Sequence, residues 1–326
     1  MNEHAALPQT LDSAATVGNT PFFNVFTPLH INNWTFNWPR ACRMPGVAHW
    51  FQRFYGTPCI IVSAGPSLER NLAPLAGRQR GFIILCVDNA YNRCYAAGVR
   101  PDVTLTVDAQ PVVGPEMLSP HRPGDLVCWV PFQDANIPEI VGRDDLVCYT
   151  EELNTNPIWS DIQREFFSKF NPAWGCLAAG GTISTVATSL AFMMGCSPII
   201  HVGLDLCYYD KPTAYPDAEL FPAVDIWGRD VFTIQPFWLS RLWYSHAATQ
   251  WEGTPRRWIN ATGAGLLADG YEQITDPDFI PSLAGREFNT RHYLRQWLAR
   301  RPIVNNSWRP PRTIPLDMKK CTGGIK

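Results

Sequence analysis

Short apolar runs recur along the middle of the chain, at 59–63, 82–87, 103–107, 126–130, 145–149, 198–203 and 258–262. Gly, Pro and Asp bound most of them, which predicts strands. The run Ile60-Ile61-Val62-Ser63 has the continuous apolar character of a strand covered on both faces of a parallel sheet. Helix-like segments alternate with the runs, at 67–76, 89–97, 157–169 and 182–194. Gly98 and Gly195 stand where the second and fourth of these should end. Alternation at this spacing predicts an α/β fold with a mostly parallel, doubly wound, Rossmann-like sheet.

The flanks read differently. Residues 1–56 show no clear period and hold Pro21-Phe22-Phe23 and Trp34-Thr35-Phe36-Asn37-Trp38. They predict an extended arm, pinned by aromatic side chains to its own domain or to a neighbouring subunit. The sheet domain is expected over 57–270, interrupted by a polar insertion at 206–235 rich in Tyr, Pro and Asp. Within it, 225–233 reads as a hairpin turning at Gly228-Arg229, and a helix is expected at 237–251. An amphipathic helix at 290–300 and an extended, Pro-rich, basic tail complete a C-terminal segment, 271–326.

Composition narrows the possibilities. The chain has 326 residues, 46% of them apolar and 17% charged, with a net charge of -2. That balance gives no electrostatic case for binding nucleic acid or a membrane surface. No apolar run approaches the ~20 residues of a membrane span. Of ten cysteines, Cys59, Cys86, Cys128, Cys148 and Cys196 sit inside apolar runs, and no pair has zinc spacing. They read as buried, reduced thiols. With a polar N-terminus lacking a signal pattern, this predicts a cytoplasmic protein.

Ligands of open α/β sheets bind beyond the C-terminal ends of strands. After the first strand comes Gly65-Pro66-Ser67, with Asn71 one turn on. Gly65 would allow close approach, Pro66 would start a helix and Ser67 would cap it, leaving free amides for a phosphate. Asp88 and Asn89 follow the second strand, Asp108 and Gln110 the third. Gly180-Gly181-Thr182 forms a second glycine-rich helix start. Asp205 follows the run at 198–203, and Thr262, Gly263 and Gly265 stand at the end of the last one. Singly, each has a plainer reading as a cap or turn residue. Together they form a rim where carboxylates could hold Mg²⁺ and amides could hold phosphate oxygens. His201 reads as a satisfied core histidine and His246 as a packing residue. The nucleophile-elbow, Walker A and Gly-x-Gly-x-x-Gly patterns are missing, so a nucleotide would be held by another design.

In order along the chain stand Val62-Ser63-Ala64-Gly65-Pro66-Ser67-Leu68, Gly98-Val99-Arg100-Pro101-Asp102, Thr106-Val107-Asp108, Gly180-Gly181-Thr182-Ile183-Ser184, Val202-Gly203-Leu204-Asp205-Leu206 and Ile259-Asn260-Ala261-Thr262-Gly263. This series resembles the group joining archaeal 6-hydroxymethylpterin diphosphokinases with motility-associated flagellin glycosyltransferases. A weaker likeness reaches bacterial sialyltransferases, through the Gly-Pro-Ser turn. The resemblance implies a nucleotide at Gly65–Ser67, and Asp108 and Asp205 near its phosphates or a metal. The leading expectation is Mg²⁺-dependent transfer of a diphosphate from a nucleoside triphosphate to a small molecule, with Asp88, Asp108 and Asp205 as catalytic carboxylates. A glycosyltransferase using a nucleotide sugar is the alternative, with Tyr208, Tyr209, Tyr215 and Trp227 available to stack on a ring. A third is the fold reused as a structural, possibly viral, assembly protein whose termini grip neighbouring subunits.

Overall fold

Eight parallel strands form the central sheet of the computed structural model, which describes residues 21–111, 113–152, 174–211, 219–250 and 256–299. In chain order the strands are β1 (Cys59–Val62), β2 (Ile83–Val87), β3 (Val103–Leu105), β4 (Leu126–Trp129), β5 (Leu146–Cys148), β6 (Thr150–Glu152), β7 (Cys176–Ala178), β8 (Ile199–Val202), β9 (Phe221–Val224), β10 (Asp230–Thr233), β11 (Trp258–Asn260) and β12 (Glu272–Gln273). The central sheet runs β12-β11-β8-β1-β2-β3-β4-β5. β6 pairs in parallel with β7, and β9 with β10 as an antiparallel hairpin. Every residue of β1 and β2 is buried, which is why those segments read as unbroken apolar runs. β1 lies in register between its neighbours, Ile60 opposite Ile84 on one side and Ile200 on the other.

The helices are α1 (Pro21–Ala41), α2 (Leu68–Leu72), α3 (Asp88–Ala96), α4 (Val113–Met117), α5 (Ile137–Val141), α6 (Ile183–Met194), α7 (Gln235–Gln250) and α8 (Thr290–Leu298). Gly98 and Gly195 take φ of 74° and 92°, the left-handed conformation that ends α3 and α6 where the sequence indicates. No disulfide joins the nine described cysteines, and all but Cys176 are buried. No described helix is long and apolar enough to cross a membrane. The helix expected at 157–169 and the tail at 301–326 lie outside the described residues, as do 1–20.

The extended arm is corrected: its second part is the 21-residue helix α1. The Asn33 side chain donates to the carbonyls of Ala109 (3.0 Å) and Phe132 (3.3 Å). Asn37, four residues on, donates to those of Pro131 (2.9 Å) and Gln133 (3.0 Å). Trp34 and Trp38 stack, with ring centroids 6.2 Å apart. Tertiary bonds at helical spacing override a sequence whose Pro28 and Pro39 argue against a helix. The result closes α1 over the chain leaving the C-terminal ends of β3 and β4.

From β1 the sheet grows one way through β2 to β5 and the other way through β8 to β12. The order therefore reverses between β1 and β8. In open α/β sheets the crevice beyond the strand ends at such a reversal is the place where ligands bind.

Candidate active site

Two groups of polar side chains stand at the C-terminal edge of the sheet. The first fills the crevice. Asp205, after β8, accepts from the Ser67 hydroxyl (2.8 Å) and the Ser67 amide (3.1 Å) through the same oxygen, Oδ2. Its other oxygen accepts from the Tyr209 hydroxyl at 3.3 Å. The Gly65 amide donates to the Gly203 carbonyl at 2.8 Å. So the two amides expected to cradle a phosphate are both engaged, and Ser67 does not cap α2. The carboxylate of Asp205 sits where the phosphate was expected. A Cβ on Gly65 would stand 2.1 Å from Asp205 Oδ2, so the close approach served by this glycine is to the chain's own carboxylate. Burial raises the pKa of Asp205 against the bonds from Ser67 and Tyr209.

Buried Asn71 ties the crevice together. Its Nδ2 donates to the carbonyls of Ala261 and Thr262, both at 3.2 Å, and its Oδ1 accepts from the Gly203 amide at 2.9 Å. The Thr262 hydroxyl accepts from the Leu204 amide at 3.0 Å. Arg93 fixes the Gly-Pro-Ser turn from below, donating to the Ala64 carbonyl (2.6 Å) and the Gly65 carbonyl (3.1 Å). Arg70 donates to the Thr262 carbonyl at 2.9 Å and brings a cation to the rim. The described part of the 206–235 insertion, at its β9–β10 turn, meets the same edge. The Ile226 amide donates to Gly265 O at 3.0 Å, and the Trp227 indole N–H to Gly263 O at 3.1 Å.

The second group is Asp88 and Asp108, which follow β2 and β3, and Glu151, within β6. Asp88 is buried, with Oδ1 accepting from the Asn89 amide at 2.8 Å and Oδ2 without a partner among the described residues. Burial, and then the charge of Asp108, push its pKa up to about 7. The same two causes, burial first, push Glu151 up to about 8. Asp108 faces solvent on one side and protein on the others, and this partial desolvation raises it too. Tyr149 donates to the Thr106 carbonyl at 2.8 Å and lies 3.4 Å from Glu151 Oε1. Asp88 and Glu151, each buried and each facing the charge of Asp108, are thus biased toward their protonated forms.

Other expected site residues fare differently. Asp108 and Asp205 are not brought together. Their strands lie three positions apart in the sheet, roughly 14 Å, so they do not form one metal pair. Among the described residues no three His, Cys, Asp or Glu side chains converge as a metal-holding group. The second glycine-rich turn is corrected as well. A Cβ on Gly180 would stand 2.2 Å from the Trp243 ring, and one on Gly181 2.9 Å from the Pro236 carbonyl. Thr182 Oγ1 is bonded to Ser184 (2.8 Å) and Ser240 (2.9 Å). These glycines let α7 pack on the start of α6 and leave no cradle there. Asn89 and Pro66 are exposed on the rim. His201 is buried against Tyr244 and Tyr271, with both ring nitrogens lacking a partner among the described residues. It is a core histidine but not a satisfied one.

Glu151, Arg70 and Arg93 were not legible as site residues. Glu151 lies within a further short strand, β6, and not directly after the apolar run. The arginines stand one turn inside helices, where they read as solvated surface.

A family model described as 6-hydroxymethylpterin diphosphokinase MptE-like matches residues 32–211, more than half of the chain. Among solved structures the chain is similar to the MAf glycosyltransferase from Magnetospirillum magneticum AMB-1, with a TM-score of 0.60 and 15% sequence identity. That likeness covers 89% of this chain and 43% of the glycosyltransferase, so the chain spans less than half of its length. At this identity the likeness is one of fold. No curated protein matches the chain. Both sides of the resemblance read from the motifs are thus found, and the chain belongs to the 6-hydroxymethylpterin diphosphokinase MptE-like family.

Proposed function

We propose that this member of the family is a nucleotide-dependent transferase with a divided site. The donor nucleotide lies in the crevice between β1 and β8, and the acceptor lies against the carboxyl cluster. The observation that carries the reading is the meeting of Gly65-Pro66-Ser67 with Asp205 where the strand order reverses. Arg70 is the cation that meets the donor's phosphates. Asp108, the solvent-facing carboxylate, takes the proton of the acceptor hydroxyl, and Asp88 and Glu151 tune it by charge and proton sharing. In diphosphate transfer the acceptor oxygen attacks the β-phosphorus, and the bond to the α-phosphate breaks to release a nucleoside monophosphate. Positioning and charge neutralisation supply most of such catalysis.

Mg²⁺ fits the donors available. Both groups offer carboxylate oxygens, one of them the buried Asp88 Oδ2, which has no partner among the described residues. Mg²⁺ is commonly held by one or two carboxylates together with substrate phosphates. Asp205 would hold it in the crevice, or Asp88 with Asp108 at the cluster. When bound it would neutralise phosphate charge.

The family supports diphosphate transfer. Transfer of a sugar from a nucleotide sugar is favoured by the fold shared with the MAf glycosyltransferase over most of this chain. It uses the same layout, with the acceptor oxygen attacking the anomeric carbon and the bond from that carbon to the donor's phosphate oxygen breaking to release the nucleotide. A thermal-shift panel with ATP, GTP, CTP, UDP-sugars and CMP-sialic acid, with and without Mg²⁺, separates them. A Mg²⁺-dependent shift with a triphosphate supports the first, and a shift with a nucleotide sugar supports the second. A flat panel contradicts both.

A further inference from the structure

We infer that Trp227 is the platform on which the donor's nucleobase stacks, an inference that rests on the nucleotide-transferase reading. Trp227 sits at the tip of the β9–β10 hairpin with 55% of its surface exposed. An indole left in water is ordinarily free to turn, and this one is held. Its ring N–H donates to the Gly263 carbonyl at 3.1 Å, and its backbone amide donates to Asp225 Oδ1 at 2.9 Å. Asp225 also accepts from Arg229, amide and guanidinium, at 3.0 and 2.7 Å. The Arg229 guanidinium in turn lies 5.0 Å from the Tyr209 ring centroid. The turn is thus built from inside, and more than half of the surface of Trp227 is left open to a ligand.

The position of that face identifies the ligand. Trp227 is bonded to the Gly263 carbonyl, and Arg70 to the preceding one, Thr262. An aromatic face and a guanidinium therefore flank adjacent peptides, about 3.8 Å apart between Cα atoms. Tyr209 links the same wall to Asp205 and so to Ser67. A planar base on one side of a ribose and a phosphate on the other match this pair of anchors. Stacking on a preordered indole tolerates any base, because every base offers a π-face. Discrimination between bases would therefore come from other groups.

Calorimetric titration of the full chain and of Trp227→Ala and Trp227→Phe, with the four nucleoside monophosphates and with ribose 5-phosphate, tests this. The parent should bind its preferred nucleotide about 10-fold more tightly than ribose 5-phosphate. Trp227→Ala should lose that advantage and bind ribose 5-phosphate unchanged, and Trp227→Phe should keep most of it. Nucleotide affinity unchanged in Trp227→Ala, or an equal loss for both ligands, overturns the inference and leaves the transferase reading standing. A parent that binds no nucleotide overturns both.

Discussion

Gly65 has no room for a side chain. A methyl group there would stand 2.1 Å from a carboxylate oxygen that can rotate and 2.5 Å from the Gly203 carbonyl, which cannot. Gly65→Ala should therefore cost about 2 kcal/mol by forced overpacking. It should lower the urea midpoint, and an unchanged midpoint would refute the packing described. At the carboxyl cluster the same scale gives a pH dependence. Unfolded, Asp88 and Glu151 titrate near 4. Folded, they keep their protons up to about 7 and 8. Between those limits the folded chain binds more protons, so their contribution to stability falls as pH rises through the window. Glu151→Gln should raise Tm at pH 8.5 and change it little at pH 5. The same difference at both values would show that Glu151 is not held protonated. His201 acts in the opposite direction. Burial lowers it to about 3, so its contribution is intact above its ordinary value of 6.5 and is lost as pH falls below that. The residues visible beforehand, Ser67, Asp88, Asp108 and Asp205, all lie within five residues of the C-terminal end of a strand. Asn71 was seen but not its part as the knot between three loops, because that part depends on which strands are neighbours.

Elements were legible where burial alone decides them. The seven apolar runs are the strands β1 to β5, β8 and β11, displaced by no more than two residues at either end. A parallel strand buried on both faces writes itself into the sequence, and only its ends are negotiable. α1 was not legible, because its helix rests on tertiary bonds. One signal was present: Asn33 and Asn37, like Trp34 and Trp38, recur at a spacing of four, the spacing of one helical face. Asn37→Ala should leave the buried carbonyls of Pro131 and Gln133 without their side-chain donor. A loss of about 1–3 kcal/mol in chemical unfolding is expected, and a loss near zero would mean that α1 contributes little to the fold. α2 shows the converse. Its sequence predicts an anion site at the helix start, but the helix has only five residues, and the Ser67 amide before it meets Asp205. The element is legible in the sequence, and the internal partner of its amide is not.

Across the whole molecule, one reversal of strand order organises both groups. It sets Asp205 beside the Gly-Pro-Ser turn, and it sets Asp108 three strands away, beyond the reach of a shared metal. The motif order along the chain pointed to the fold and to the edge of the sheet. It could not give this separation, because the spatial order of strands is not the order of their motifs. Binding and chemistry should accordingly fail separately. The measurement that tests this most directly is a calorimetric titration of the preferred nucleotide into the parent, Arg70→Ala and Asp108→Asn, with turnover measured on the same samples. Arg70→Ala should bind about 10-fold more weakly, as expected for loss of a charge-assisted contact. Asp108→Asn should bind as the parent does and turn over nothing. Loss of binding in Asp108→Asn, with Arg70→Ala unchanged, would place the nucleotide at the carboxyl cluster and contradict the divided site.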